Sequence, residues 1–162
     1  NKTASILTNF EKIKILFNEF SKNMTYVSDP RASVEMVQFP SETMKIKGGD
    51  CDDLSVSLSS LLESVGIQTA FVDFIEPDGV SHVNLLVNTG ISPENSALIT
   101  NNDKKFFIRK NVTGKEEIWI PIETTSQSDF HSSWEIASEK FHNEAVNKLG
   151  LVKGNVEIID VY

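Results

Sequence analysis

One cysteine, one of the three histidines and a strand-end glutamate are the residues whose types and order could do chemistry together. Cys51 lies in Gly48-Gly49-Asp50-Cys51-Asp52-Asp53, directly before the amphipathic run Leu54 to Val65. Two glycines let the backbone turn tightly, and the run after them predicts a helix with the thiol in its first turn. A helix N-terminus carries partial positive charge and favours a thiolate. The neighbouring aspartates act the other way. The dipole is worth only about 0.3–1 kcal/mol at an exposed position, so the helix end alone does not activate the thiol. A cationic partner is required, and an imidazolium fits. His82 stands in the strand-like Ser81-His82-Val83, and Glu123 ends Ile118-Trp119-Ile120-Pro121-Ile122-Glu123. The chemistry this order predicts is acyl transfer through a thioester. His82 deprotonates Cys51 and then protonates the leaving amine, while Glu123 orients the imidazole.

Each residue also has a plainer reading. A lone cysteine is more often a small buried hydrophobe, but paired glycines and flanking aspartates place this one at a surface-facing helix start. His131 and His142 fall in or near the last predicted helix and read as surface residues. His82 shares its predicted strand face with Asn84 and Asn88, a polar side open to a cleft; the competing reading is an ordinary exposed histidine. Glu123 competes with Asp73 and Glu76 for the role of orienting acid, and with the reading of a solvated strand end. A developing oxyanion needs donors, for which the Cys51 N–H and the Gln38 amide are the candidates. Tyr26, Trp119 and Trp134 either wall a cleft or pack the core. Asp50, Asp52 and Asp53 offer the oxygen ligands that calcium takes, without the spacing of the twelve-residue calcium loop. Helix capping is the favoured reading, with Asp50 as N-cap and Asp53 in the capping-box place.

The elements that must position these groups follow from periodicity. Ile6, Phe10, Ile13, Phe17 and Phe20 form one helical stripe. Residues 24–27 read as a short extended piece, broken at Ser28-Asp29-Pro30, and 41–44 as a single helical turn. In the helix after Cys51, Leu54, Leu58, Leu61, Leu62 and Val65 share a face, and Gly66 stops it. Alternation then predicts strands over Thr69–Ile75 and 82–88, joined by a Pro77-Asp78-Gly79 turn. Residues 89–103 read as an irregular loop, 105–110 and 117–123 as two strands, and 156–161 as a last strand. A helix is predicted from Ser132 to Leu149, with Glu135 completing a capping box and Gly150 past the end. Helices first and mostly consecutive strands afterwards predict an α+β domain with an antiparallel sheet.

Composition narrows the function classes. The chain has 162 residues, 40% of them hydrophobic, which suits one domain with a real core. A net charge of −8 disfavours a nucleic-acid binder and an anionic-lipid surface binder. No apolar run approaches the ~18 residues of a membrane span, so direct membrane insertion is not expected. One cysteine allows no internal disulfide and no cysteine-built zinc site. The chain begins at Asn1 without a signal-like stretch, and residues 1–162 are expected to be one domain excised from a longer protein.

At these residues the chain resembles the transglutaminase-like superfamily. The resemblance is carried by Gly48-Gly49-Asp50-Cys51-Asp52-Asp53-Leu54-Ser55, by Leu61-Leu62-Glu63-Ser64-Val65-Gly66-Ile67-Gln68-Thr69-Ala70, by Ser81-His82-Val83 and by Trp119-Ile120-Pro121-Ile122-Glu123-Thr124-Thr125, and it covers residues 24–125. Residues 130–141 resemble the helical tail of bacterial members fused to other modules. The resemblance implies a papain-like α+β fold, with the cysteine helix packed on an antiparallel sheet. Cys51 would be nucleophile, His82 base and acid, and Glu123 the orienting acid. The usual third member is Asp, so Glu123 is a departure. The family includes protein crosslinkers, cysteine peptidases, amidases and members without activity. Some of its bacterial peptidases bind calcium through acids flanking the cysteine, which keeps Asp50 and Asp52 as candidate ligands; no other cofactor is expected. Hydrolysis of a protein or peptide substrate, as a bacterial cysteine peptidase or amidase, is the expected function. The alternatives are an inactive binding or scaffold module, a crosslinking transglutaminase and a calcium-dependent switch. Besides substrate, other domains of a longer parent chain are the expected partners. No residue sets the compartment; the look of a domain cut from a bacterial protein leans extracytoplasmic, periplasmic or secreted.

Overall fold

The alternating and helical apolar patterns become a curled antiparallel sheet with helices packed on its outer face. The computed structural model describes residues 2–28, 37–75 and 81–161. In chain order these form helices α1 (Lys2–Ile6) and α2 (Thr8–Asn23), strand β1 (Thr25–Tyr26), helix α3 (Pro40–Ile46), strand β2 (Gly48–Gly49), helix α4 (Cys51–Ser64), strands β3 (Thr69–Ile75), β4 (Ser81–Asn88), β5 (Phe107–Lys110) and β6 (Glu116–Ile122), helices α5 (Phe130–Phe141) and α6 (Gly150–Lys153), and strand β7 (Val156–Asp160). The break at Asp29-Pro30, the acid Glu76 and the Pro77-Asp78-Gly79 turn lie outside the described residues.

The five-stranded sheet has the order β5-β6-β4-β3-β7 with antiparallel neighbours throughout, as the α+β reading expects. It curls until its two edges meet: Arg109 of β5 donates to Asp160 of β7 at 2.9 Å. The outer face presents Leu85, Val87, Ile118, Ile120 and Ile122, which pack on Leu54, Leu58 and Leu62 of α4 and on Phe10, Ile13 and Phe17 of α2. Each such aliphatic side chain, fully buried, stabilises the fold by roughly 1.5–3 kcal/mol relative to its exposed state. Phe10, Phe17, Phe130 and Trp134 lock α2 to α5 through edge-to-face contacts. The inner face, with Ala70, Val72, Phe74, Leu86, Trp119 and Val156, is plugged by Phe141 and Ala145.

That plug corrects several expectations. The side of β4 that reads as polar is not an open cleft, because Asn84 and Asn88 are buried inside the curl. Trp119 and Trp134 are core residues rather than cleft walls. Val65 ends the apolar face of α4 in solvent, while Ser55, Ser57 and Ser59 are buried and let the helix approach the sheet closely. The last long helix starts at Asp129, whose carboxylate caps the Ser132 N–H, so Ser132 is capped rather than capping. It passes into a π-helical stretch, His142–Asn147, and Gly150 opens α6 instead of following a helix end. Residues 89–103 hold a 3-10 turn, Pro93–Leu98, and the start of another, Asp103–Lys105. Among the described residues no helix is long and apolar enough to cross a membrane.

Candidate active site

The backbone before Cys51 is held by a parallel pairing that the local pattern does not reveal. Thr25 N–H bonds Lys47 O at 3.0 Å and Val27 N–H bonds Gly49 O at 2.9 Å, joining β1 to β2. Gly49 abuts the next turn so tightly that a Cβ there would stand 2.7 Å from Asp53 Oδ2. Only glycine fits. Asp50 then caps α4: its Oδ1 accepts the N–H groups of Asp52 and Asp53, both at 3.1 Å. Asp53 reciprocates by accepting the Asp50 N–H at 3.3 Å, completing the capping box expected of these two residues. The first three amides of a helix lack intrahelical acceptors. The cap takes two of them and leaves the Cys51 N–H without a partner among the described residues.

The sheet leaves a gap that receives this helix start. Pairing of β6 with β4 stops at Ile122 and Leu85. Beyond that point α4 takes over the edge of β4. Ser55 Oγ donates to Val83 O at 3.3 Å and shares a 3.0 Å hydrogen bond with Thr124 Oγ1. One turn earlier, the Cys51 sulfur accepts a hydrogen bond from the Val83 N–H. The thiol therefore lies against the residue that follows His82.

His82 is anchored by the strand-end acid. Its Nε2 lies 2.6 Å from Glu123 Oε2, and the other oxygen, Oε1, accepts the Thr125 N–H at 2.9 Å and the Thr125 hydroxyl at 2.8 Å. The Glu123 carbonyl in turn accepts the Ser133 hydroxyl of α5 at 2.5 Å. Burial opposes ionisation of Glu123, which is 5% exposed. The hydrogen bond and charge of His82, with the two donors of Thr125, still hold its carboxyl below the usual range. With Nε2 on the carboxylate, Nδ1 is the ring nitrogen left to exchange protons.

The thiol is not a standing thiolate. Burial pushes Cys51 up to about 12; the Val83 N–H lowers it, while the charge of Asp52, its hydrogen bond from the thiol and the charge of Asp50 raise it. The S–H donates to Asp52 Oδ1 at 3.4 Å. The opposition between dipole and aspartates foreseen from sequence is thus resolved in favour of the protonated thiol. Asp52→Asn removes one charge and one acceptor of the S–H. It is expected to raise the rate of iodoacetamide alkylation at pH 8 several-fold, because the thiolate is the reacting species. Intact-mass kinetics read this, and an unchanged rate would show that Asp52 does not govern the thiol. Tyr26 belongs to the same neighbourhood: burial, then the charges of Cys51, Asp50 and Glu123, raise its phenol.

Gln38 is bound to the start of α4, its N–H donating to Asp53 Oδ1 and its Nε2 to Oδ2, both at 2.7 Å. Asp73 is the cross-strand partner of Val83, on the face opposite to Phe74 and His82, so Glu123 and not Asp73 bonds the imidazole. His131 is exposed and His142 half-buried, both on the last helical segment. Sequence reasoning missed Ser55, Thr124 and Thr125 as supports. Ser55 had a signal, since it lies four residues after Cys51 and shares its helix face. Among the described residues no group of three or more His, Cys, Asp or Glu side chains is arranged to hold a metal ion.

A thiol in the first turn of a helix, packed on a curled antiparallel sheet whose strands carry a hydrogen-bonded histidine–carboxylate pair, is the arrangement that the sequence resemblance implies. The sequence model of the transglutaminase-like superfamily matches residues 1–138, and the chain belongs to that superfamily. The match extends beyond residues 24–125 on both sides, through α2 and most of α5. No curated protein is significantly similar in sequence. Among solved structures the chain is similar to LapG of Legionella pneumophila, at 16% identity and TM-score 0.44 over 85% of this chain and 82% of that one. An EGTA-treated form of LapG gives 15% identity and TM-score 0.44 over 85% and 83%. A calcium-bound form gives 20% identity and TM-score 0.38 over 49% of this chain, and there the match spans 52%, about half, of the LapG chain.

Proposed function

We propose that the chain is a thiol hydrolase acting on amide bonds of proteins or peptides, through Cys51, His82 and Glu123. The observation that carries this reading is the 2.6 Å bond between His82 Nε2 and Glu123 Oε2, with the thiol on the N–H of the adjoining Val83. Because the resting thiol is protonated, attack on the carbonyl and proton transfer from Sγ to His82 Nδ1 occur together. The S–C bond forms as the carbonyl oxygen takes the negative charge. The Cys51 N–H is one donor to that oxygen, and Gln38 is retained as the second, with Asp53 holding one of its two Nε2 hydrogens. His82 returns the proton to nitrogen, the C–N bond breaks and the amine leaves. Water then attacks the thioester, giving its proton to His82, which restores the thiol as the acid departs. Glu123 holds the imidazole and stabilises its charged form in both halves. The His82 side chain is 27% exposed, so water can reach the ring for the second half of the reaction.

The acids around Cys51 are already engaged within the protein. Asp53 has both oxygens engaged by Gln38, and Asp50 Oδ1 is engaged by the cap. Calcium takes about 6–8 oxygens. Asp50 and Asp52 by themselves do not make such a set, so the described residues do not fit the ion.

Incubation with a reduced, unfolded protein and dansylcadaverine tests the reading by mass spectrometry. New N-termini are expected, and prior alkylation of Cys51 should remove them. Cleavage that survives alkylation, or no cleavage, would overturn it. Dansylcadaverine incorporation without new termini would assign amine transfer instead.

A further inference from the structure

Among the described residues, strand β1 pairs on one side only, with β2. Its pairing with β2 uses the N–H groups of Thr25 and Val27. Successive residues of a strand aim their backbone groups to opposite sides. The N–H and C=O of Tyr26 therefore point away from β2, and neither has a partner among the described residues. Both residues of β1 are exposed. Tyr26 is register-paired with Gly49, two residues before Cys51, which places β1 beside the start of α4; the charges of Cys51, Asp50 and Glu123 also act on its phenol.

The segments around it carry large apolar side chains in solvent. Val27 continues β1 and lies against Gly48. Val37 and Phe39 flank Gln38, which is fastened to the start of α4, and Phe39 is 74% exposed. Met44 and Ile46 project from α3, which leads directly into Gly48. Single exposed apolar residues are ordinary; these five lie on the segments that lead to one thiol and offer apolar surface to a chain bound there. An open donor and acceptor on the same residue fit a polypeptide backbone, and alternate side chains of an added strand would meet the apolar residues.

We infer that substrate enters as an extended polypeptide strand added to the edge of β1 turned away from β2, with apolar residues beside the scissile bond. This rests on the hydrolase reading above and deepens it: the substrate is an unfolded or linker segment of a protein, not a small amide. Backbone pairing supplies affinity for any extended chain, and the apolar surface supplies the preference.

Three reagents with one reactive group test this in the wild-type chain: acetyl-Val-Leu-Ala chloromethyl ketone, the acetyl-triglycine analogue and chloroacetone. Second-order rates at Cys51 are read by intact mass. The expected order is apolar peptide over triglycine over chloroacetone, each step about tenfold or less. Tyr26→Pro deletes the outward N–H and leaves the β1–β2 bonds, which use Thr25 and Val27. With each rate divided by the same protein's chloroacetone rate, it should bring both peptide reagents down towards unity, about tenfold for the apolar one. Tyr26→Ala retains the N–H and should keep the peptide preference. A measurement without any variant guards against misfolding: hydrogen exchange at the Tyr26 amide should slow about tenfold in protein labelled with the apolar peptide relative to protein labelled with chloroacetone. Equal rates for all three reagents, or a Tyr26 amide that exchanges equally in both adducts, overturn strand addition alone. A thiol inert to all three overturns the hydrolase reading and this inference with it.

Discussion

Cys51→Ala is expected to abolish amide cleavage and leave the fold standing. No other side chain at the start of α4 can replace the sulfur: Ser55, the nearest hydroxyl on that helix face, is engaged by Val83 O and Thr124 Oγ1. Turnover should fall by at least about 10⁴-fold, since the covalent route is lost outright. Stability should change by no more than about 1 kcal/mol at neutral pH. The sulfur makes two weak contacts, while the Asp50–Asp53 capping box, which holds the helix start, involves only its neighbours. The two proteins should diverge at high pH. The thiol stands near 12 in the folded chain against an ordinary value of 9.0. Between those values the unfolded state releases a proton that the folded state keeps, so wild-type stability falls as pH rises from 9 towards 12. The alanine variant lacks that slope. Urea midpoints from pH 7 to 10.5 would show it, and parallel curves would mean that the thiol is not held protonated. Cleavage by Cys51→Ala would end the hydrolase reading.

What could be read in advance was whatever depends on neighbours in the chain. Asp50 and Asp53 form their capping box, Gly66 ends α4 at positive φ, and Thr69–Ile75 is a strand to the residue, because these are decided by short-range geometry. The order cysteine, histidine, acid was visible for the same reason. What was hidden depends on segments far apart. Gly48-Gly49 reads as a turn but is a strand, because Thr25–Tyr26 supplies a parallel partner. The side of Asn84 and Asn88 reads as open to a cleft but lines the inside of a curl, because the sheet edges meet at Arg109 and Asp160 and Phe141 fills the space, while His82 at the strand end stays partly exposed. The Ser132-to-Glu135 spacing resembled a capping box, yet Asp129 lay three residues earlier and is the stronger competitor for the Ser132 amide. In the site itself, the meeting of Cys51 with Val83 follows from where β6 stops pairing with β4, which no local pattern encodes.

Glu123→Gln should cost roughly 10²–10⁴-fold in kcat with little change in KM, because the lost charge acts on the imidazolium that forms during reaction and not on bound substrate. The reason lies in the donor count. Glu123 accepts from His82 on Oε2, and from both Thr125 donors on Oε1. A glutamine has one acceptor oxygen and one NH₂ group. Aimed at His82 through its oxygen, it turns the NH₂ against the Thr125 N–H; aimed the other way, it leaves Nε2 with a donor and forces the wrong tautomer. Either arrangement buries a mismatched polar group at a site that is 5% exposed, so a stability loss of about 1–3 kcal/mol is expected at pH 7. That loss should shrink in acid. The folded carboxyl lies below its ordinary 4.5, so its contribution is present above that value and vanishes as pH falls through the folded pKa. Wild-type and variant melting curves should therefore draw together as pH falls below 4.5. A gap that stays constant over that range would mean that Glu123 supports the fold by shape alone. An unchanged kcat would remove Glu123 from the mechanism and leave His82 to be oriented by its packing on Phe74, its cross-strand partner.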